Sequence, residues 1–285
     1  MLRKRLVRSS AVIASSFLSL LPHGVVKAQE GQLAKRLRDS VLSPTGLSSL
    51  TPLSTPSAGP LPGFGQQQQV FQWKTGIVTT TFWVGEKAAK NNPVPNHASS
   101  WDPKWAQNYG GFDDPDRANR AQFIPTNFVP QQNPFYVALP YNDVSKGAHK
   151  PEASLVIPWF KKEFQAAGKS VCKGRWIAIR FKDRVCYAQW EDCGPFRTDH
   201  WQYVFGNERP KPNLNKGAGL DVSPAVRDYL GMNDTDVTDW KFVDFSEVTS
   251  GPWSLHGDNN PFVQFKRAAE IRSAMLTAPA PAGAH

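Results

Sequence analysis

The feature that most constrains the fold is a pair of strand-like segments joined by a tight polar turn. The segment RWIAIRF, residues 175–181, is followed after Lys182 and Asp183 alone by RVCYAQWED, residues 184–192. Two β-rich segments separated by two residues are typical of a β-hairpin. The length of the turn also predicts the register, because it places Cys186 opposite Ile179. An antiparallel pair is therefore expected near the centre of the fold.

Further short β-rich segments surround this hairpin. They include GIVTTTFWVG, FYVALPY and VTDWKFVDF, which are rich in β-branched and aromatic residues. Many short strands with few helices favour a small barrel over a doubly wound sheet. We therefore predict a mainly β fold in which one closed barrel contains strands at about 77–84, 135–140, 175–181, 184–191 and 239–245.

Two short helices and one long loop interrupt the strands. IPWFKKEFQAAG places Pro158 in a first turn and ends at Gly168, and VSPAVRDYLG has Ser223 as its N-cap, Pro224 next and Gly231 as the stop. The segment 86–132 is long and polar, and segments of this kind are usually functional or disordered loops. Its aromatic residues indicate an ordered loop insertion, namely Trp101, Trp105 and Tyr109.

The first residues resemble an export signal. Residues 1–28 combine a basic start, an apolar run and a small-residue cleavage site ending at Ala28, and an uncleaved anchor is the alternative. Residues 29–69 predict a low-complexity linker, 70–246 the barrel domain and 247–285 a partly disordered C-terminal extension. No Cys stands at the cleavage site, so we predict a secreted or periplasmic monomer without a stable membrane anchor.

The basic composition does not indicate nucleic-acid binding. Five of the 33 Lys and Arg residues and none of the 24 acidic residues fall within the first 28 positions, so the remainder carries a net charge of +4 rather than +9. No cluster of basic residues appears in that remainder. A weakly cationic exported protein would be attracted to an anionic wall or surface.

The cysteines allow one disulfide and leave one thiol over. The hairpin register places Cys172 opposite Cys193, and a bridge of Cys172 with Cys186 would require the strand to bend at its start. Both pairings remain open. No Cys and His spacing resembles a zinc site, so we predict no metal and no cofactor.

A candidate acid stands where the hairpin ends, in AQWEDCGPF. Asp192 follows Trp190 and precedes a Gly-Pro turn, so partial burial could raise its pKa and favour the protonated form. Cleavage of a glycosidic bond requires such an acid, often with a second carboxylate nearby. The alternative is that Asp192 only caps the turn through backbone N–H groups.

Asp221 and several aromatic residues complete the candidate site. Asp221 lies two residues before the predicted N-cap Ser223, so it could instead complement the N-terminus of the helix. Flat rings bind the apolar faces of sugars, and the candidates near the motifs are Trp190, Trp201 and Tyr203. Trp83 and Trp176 are expected to be core residues because they lie on alternating strands.

Four segments in this order resemble the rare lipoprotein A family: TFWVGE, YVALPYND, EDCGPF and LDVS. The counterparts in the family are an A-x-Y-Y-G strand, an H-x-x-L-P-F-G-T segment, an NDRGPF turn and an IDLS motif. The resemblance covers about 170 residues and implies a six-stranded double-psi β-barrel, as in membrane-bound lytic transglycosylase A, expansins and one endoglucanase family. The chain departs from the family in having Tyr136 in place of the His and Cys193 in place of the Arg.

The resemblance implies a protein that acts on a cell-wall glycan, most closely peptidoglycan. Asp192 would be the acid/base of a lytic transglycosylase, and Asp221 would match the acid of the plant-wall relatives. Tyr136 would lie in the same groove. Three hypotheses remain: a lytic transglycosylase-like enzyme, a non-catalytic polysaccharide-binding or wall-loosening module similar to expansins, and a structural or interaction barrel. The departure at Tyr136 favours the second and third hypotheses.

Overall fold

The computed structural model describes residues 70–90 and 92–277, which lie within one compact unit, Gln67–His285. The predicted signal peptide at 1–28, the linker at 29–69 and the last eight residues lie outside the described residues. Within the described part of the chain, no helix has both the length and the apolar character needed to cross a membrane.

Six strands form one closed barrel. The strands are β1 (Lys74–Thr81), β2 (Tyr136–Leu139), β3 (Arg175–Phe181), β4 (Arg184–Cys193), β5 (Leu220–Val222) and β6 (Thr235–Phe242). Strand β1 pairs with β6 and β5, β6 with β3, β3 with β4, β4 with β2, and β2 with β5. The β1–β5 and β2–β4 pairs are parallel and the other pairs are antiparallel. The expectation of a mainly β, closed six-stranded barrel is confirmed.

The central hairpin has the predicted register. Ile179 pairs with Cys186 and Phe181 pairs with Arg184, so Lys182 and Asp183 alone form the turn. Lys182 adopts a left-handed φ of 53°, as two-residue hairpin turns of the favoured type require.

The outer strands differ from their predicted bounds. Strand β1 ends at Thr81 rather than near residue 84, because Phe82 and Val84 leave the barrel and pack in a second apolar cluster with Trp105 and Tyr109. Strand β6 begins at Thr235, four residues before the predicted start. Its first half carries mainly polar side chains, so the sequence there lacks the apolar pattern that predicts a strand. Strand β5 has three residues, too few to show a periodic pattern.

The helices are short apart from the last one. Two-residue hairpins join Arg120–Ala121 to Ile124–Pro125 and Val144–Ser145 to Ala148–His149. The helices are α1 (Trp105–Tyr109), α2 (Ala153–Val156), α3 (Phe160–Glu163), α4 (Trp201–Val204), α5 (Pro224–Leu230) and α6 (Pro261–Thr277), and 3-10 turns lie at Arg117–Asn119, Phe245–Glu247 and Pro252–Ser254.

Helix α5 forms as its local sequence predicts. The Ser223 side chain accepts a hydrogen bond from the Val226 N–H, Pro224 opens the helix, and Gly231 ends it with a φ of 71°. The helix predicted from Pro158 to Gly168 is reduced to α3, because Phe164 is extended. The His149 ring contacts Phe160 and Phe164 there, so tertiary packing overrides the helical pattern.

The segment after the barrel also packs on it. Trp253 is buried in the main core and its ring contacts Phe135, Tyr187 and Tyr229. The Asn260 side chain donates to the Trp253 carbonyl, which ties the start of α6 to the same core. The described part of the C-terminal extension is therefore ordered against the barrel as far as the start of α6.

Candidate functional site

A bulge in β4 decides which of its two acidic residues faces the site. Strands β4 and β2 pair Trp190 with Val137 and then Asp192 with Ala138, so Glu191 is the extra residue. Because side chains alternate along a strand, one inserted residue exchanges the faces of those that follow. Asp192 therefore takes the position that Glu191 would have had without the bulge.

Asp221 is positioned by the other neighbour of β2. Ala138 pairs with Asp192 on one side and with Asp221 on the other. Residues that pair across neighbouring strands point to the same face, and two strand spacings place the two aspartate Cα atoms about 10 Å apart. The register therefore directs both carboxyls to the same face of the barrel wall.

Both carboxyl groups line one cavity of about 570 Å³. Its lining contains Ala138, Asp192 and Asp221, together with the Gly194–Phe196 turn. A Cβ on Gly194 would lie 3.4 Å from Asp221 Oδ2, so the glycine leaves this carboxylate oxygen uncovered. Residues of the insertion also line the cavity: Glu86, Asn92, Pro93, Val94, Pro95, Asn96, Ala98, Ser99 and Ser100.

The Asp192 carboxyl is buried but hydrogen-bonded. Its Oδ1 accepts the N–H groups of Ser100 and Cys193, each at 2.7 Å. Burial raises the pKa of Asp192 to about 6, and the two backbone hydrogen bonds oppose that rise. The carboxyl both caps the turn and faces the cavity, so the two interpretations of its position are compatible.

Fewer hydrogen bonds stabilise the charged form of Asp221 than that of Asp192. Thr80, its partner on β1, donates a hydroxyl hydrogen bond to Oδ1. Burial raises the pKa of Asp221 to about 7, and the nearby carboxylates of Glu86 and Asp192 raise it further. Burial thus favours the protonated form of both aspartates.

Glu86 adds a third carboxyl to the same cavity. Its Oε2 accepts a hydrogen bond of 2.9 Å from Asn96, and burial raises its pKa. The adjacent backbone forms a short ladder, in which Asn96 N–H donates to the Glu86 carbonyl. The sequence contained no signal for this residue, since a lone Glu after a strand is common.

Glu191 lies away from the cavity. Its Oε1 accepts from Asn259, its Oε2 has no hydrogen-bond partner among the described residues, and Lys173 Nζ lies 4.0 Å from Oε2. Burial raises the pKa of Glu191 to about 7. The two acidic residues at the end of the hairpin thus occupy separate environments.

The insertion is held by a buried ion pair. Arg120 pairs with Asp113, and both side chains are almost fully buried. Asp113 Oδ2 also accepts the hydroxyls of Tyr136 and Tyr109. Arg120 continues to Asp228 on α5 at 3.1 Å, so this network fixes the insertion to the barrel.

Tyr136 is not a cavity residue. It is 1% exposed, its hydroxyl accepts from the Val84 N–H, and it donates to Asp113. Three aromatic rings surround it edge-on, namely Phe82, Trp105 and Tyr109. Tyr136 therefore anchors the insertion to the barrel.

The predicted aromatic wall residues lie elsewhere. Trp190 is fully buried and donates its indole N–H to the Asp192 carbonyl, and Tyr203 is buried and accepts from Trp240. Trp201 is half-buried against the main core and does not line the cavity. The expectation that Trp83 is a core residue is wrong, because Trp83 is half-buried and lines a neighbouring cavity. Trp176 is buried as expected.

Histidine does not reach the cavity in the part of the chain that the structure describes. His200 is buried against Glu208, His149 contacts the Lys169 carbonyl, and the His97 ring packs edge-on against Phe112. Within the same residues, no group of three or more His, Cys, Asp or Glu side chains could hold a metal ion.

The three cysteines are free thiols in the structure, so neither predicted bridge is formed in it. Burial raises the pKa of the Cys172 thiol, and the nearby Asp143 and Cys193 raise it further. Cys186 lies on the paired part of the hairpin, opposite Ile179. The bridges of Cys172 with Cys193 and of Cys172 with Cys186 both stay predictions.

Comparison with models of protein families and with curated proteins gives no match.

Proposed function

We propose that the chain is an exported protein that acts on a cell-wall glycan, with a lytic transglycosylase-like activity on peptidoglycan. We also propose that the barrel is of the double-psi type and related to rare lipoprotein A. The parallel β1–β5 and β2–β4 pairs within an otherwise antiparallel barrel are compatible with that topology. The four sequence motifs carry the more specific relationship.

One observation carries the proposed activity. Asp192 and Asp221 lie on either side of Ala138, face one open cavity, and have pKa values raised to about 6 and about 7. Carboxyl groups that remain partly protonated near neutral pH can act as general acids. A cavity that contains two of them suits the cleavage of a glycosidic bond.

The proposed reaction needs one carboxyl group. The protonated Asp192 donates its proton to the glycosidic oxygen, and the bond between that oxygen and the anomeric carbon breaks. A hydroxyl of the same sugar then attacks the anomeric carbon, and the Asp192 carboxylate takes the hydroxyl proton. The products are a new chain end with a free hydroxyl and an anhydro-sugar end, and Asp192 regains its proton.

Asp221 could share this work. The two backbone N–H groups on Asp192 stabilise its carboxylate, whereas Asp221 accepts one hydroxyl hydrogen bond from Thr80. The two N–H groups therefore stabilise the Asp192 carboxylate that remains once its proton has been donated, and Asp221 is a second protonatable carboxyl beside it.

The test is the release of muropeptides from peptidoglycan sacculi, analysed by mass. A transglycosylase leaves anhydro ends that are one water lighter than hydrolysis products. Asp192→Asn should reduce the rate on the order of a hundredfold or more. Asp221→Asn tests the shared role, and Asp183→Asn removes the same charge from the exposed hairpin turn as a control. Full release by Asp192→Asn would remove that residue from the acid/base role.

A non-catalytic binding module is the second candidate. It is favoured by Tyr136, which is buried at the position of the family histidine and bonded to Asp113. In that case the protein would sediment with sacculi but release nothing. Retention on sacculi without release by the wild type decides for this module.

A further inference from the structure

A second cavity of about 890 Å³ adjoins the one that contains the two aspartates. Four residues line both cavities: Thr80, Thr81, Glu86 and Asn215. The two spaces are therefore parts of one cleft, with Asp192 in the first part and Trp83 and Phe112 in the second. A ligand that fills the first part can continue past Glu86 into the second.

The second cavity presents an aromatic ring that the insertion leaves exposed. Phe112 is 54% exposed, whereas Trp105 and Tyr109 from the same insertion are 1% and 0% exposed. The Phe112 ring lies directly on Gly85, where an added Cβ would be 2.5 Å from the ring, and packs edge-on against His97 at 5.1 Å. The ring is thus held in place while one side remains open.

Polar residues line the same cavity as this ring. They include Lys87, Asp116 and Asp234, and the half-buried Trp83 also lines it. Apolar flat surfaces with a few polar groups of both charge signs suit a neutral ligand that has both C–H faces and hydroxyls. A pyranose sugar has this chemistry.

We propose that the second cavity binds further sugar rings of the glycan chain whose scissile linkage lies at Asp192 and Asp221, with Phe112 as its main contact surface and Trp83 beside it. This inference rests on the proposed function, because the central cavity must take a glycan for its neighbour to take the next rings. Its consequence is that the protein binds the interior of a polymer, and affinity grows with chain length.

The insertion is what provides this site. Phe112 is adjacent to Asp113, whose buried pairing with Arg120 fixes the segment to the barrel. Glu86 at the junction of the two cavities is tied to Asn96 of the same insertion. The segment that departs most from the family pattern thus adds length to the cleft.

The test compares a chitin disaccharide with a chitin hexasaccharide as soluble glycan probes, by calorimetry in the Asp192→Asn background so that no ligand is consumed. The hexasaccharide should bind about tenfold tighter, which corresponds to about 1.4 kcal/mol. Phe112→Ala should remove this gain and leave the disaccharide affinity unchanged. Phe265→Ala, on α6 and 50% exposed, is the matched control and should change neither affinity.

If Phe112→Ala lowers the stability of the protein, two further results test whether the second cavity is a sugar site. Phe112→Trp retains a flat ring with a larger face and should keep or increase the gain with length. Equal affinity of the two probes for the parent protein, or equal weakening of both by Phe112→Ala, would overturn the second cavity as a sugar site. Failure of the proposed function has different signatures: absence of muropeptide release if the lytic activity fails, and absence of binding of both probes and of sacculi if the chain does not bind glycans.

Discussion

Replacing Ser100 with proline should raise the pKa of Asp192 while keeping the turn that carries residue 100. The Asp102 N–H donates to the Ser99 carbonyl, so Ser100 occupies the second position of a four-residue turn, where proline is favoured. The Ser100 N–H donates to Asp192 Oδ1 at 2.7 Å. Proline lacks that N–H, so the carboxylate loses one of its two backbone donors.

The size of the effect follows from the strength of the bond. A hydrogen bond to a charged group contributes about 1.5–3 kcal/mol. One pKa unit corresponds to about 1.4 kcal/mol, so losing the bond should raise the pKa by about one to two units. The direction is upward because the bond stabilises the charged form. From about 6 in the wild type, the pKa of Asp192 should reach at least about 7.

The measurement is the titration of the Asp192 carboxyl by carbon-13 NMR, with the pH profile of muropeptide release as a second readout. Ser100→Ala is the comparison variant, because the serine hydroxyl also bonds to Asp192 and both substitutions remove it. The difference between the two variants isolates the backbone N–H. Identical Asp192 titration curves in the folded proline and alanine variants would refute the assigned role of that N–H.

Three further substitutions test the energetics of the site and its insertion. Burial raises the pKa of Asp221 from 3.8 to about 7. The contribution of its neutral carboxyl to the free energy of unfolding is therefore fully present below pH 4 and is lost as the pH rises through 7. Asp221→Asn should therefore stabilise the fold at pH 8, by up to about 4 kcal/mol in urea unfolding, and have little effect at pH 4; a gain independent of pH would contradict this. Arg120→Met removes the ion-pair partner of the buried Asp113 carboxylate and should cost about 3–5 kcal/mol in urea unfolding, whereas a loss below about 1 kcal/mol would show that the two tyrosine hydroxyls suffice. Gly85→Ala should cost more in thermal unfolding than Gly147→Ala, because both have a positive φ but only Gly85 lies against a ring; equal losses would show that the ring moves aside.

The local chemistry of the chain was sufficient for the central hairpin and for α5. A two-residue turn between β-rich segments permits one register, and the pairing of Ile179 with Cys186 follows from counting. Ser223, Pro224 and Gly231 each act on backbone groups within a few residues of themselves. Such interactions are encoded where they act, so the sequence alone determines them.

The positions of the aromatic residues, in contrast, do not follow from the local sequence. Tyr203 and Trp190 stand in segments that could line a groove, yet both are buried, and Trp83 lines a cavity although its strand pattern predicts a core position. Burial of a ring depends on what packs over it, and those partners come from distant parts of the chain. The pairing of Tyr203 with Trp240 spans 37 residues and has no local signal.

The sequence by itself determined that the chain forms a mainly β barrel with an acidic residue at the end of its hairpin. The tertiary structure alone decided which acid faces the cavity, because the bulge at Glu191 is set by the pairing of β4 with β2. It also decided that Asp221 lies across Ala138 and that Ser100 donates to Asp192 over 92 residues of chain. A carboxyl becomes a candidate acid through its distance from other groups and its burial, and both are properties of the folded barrel.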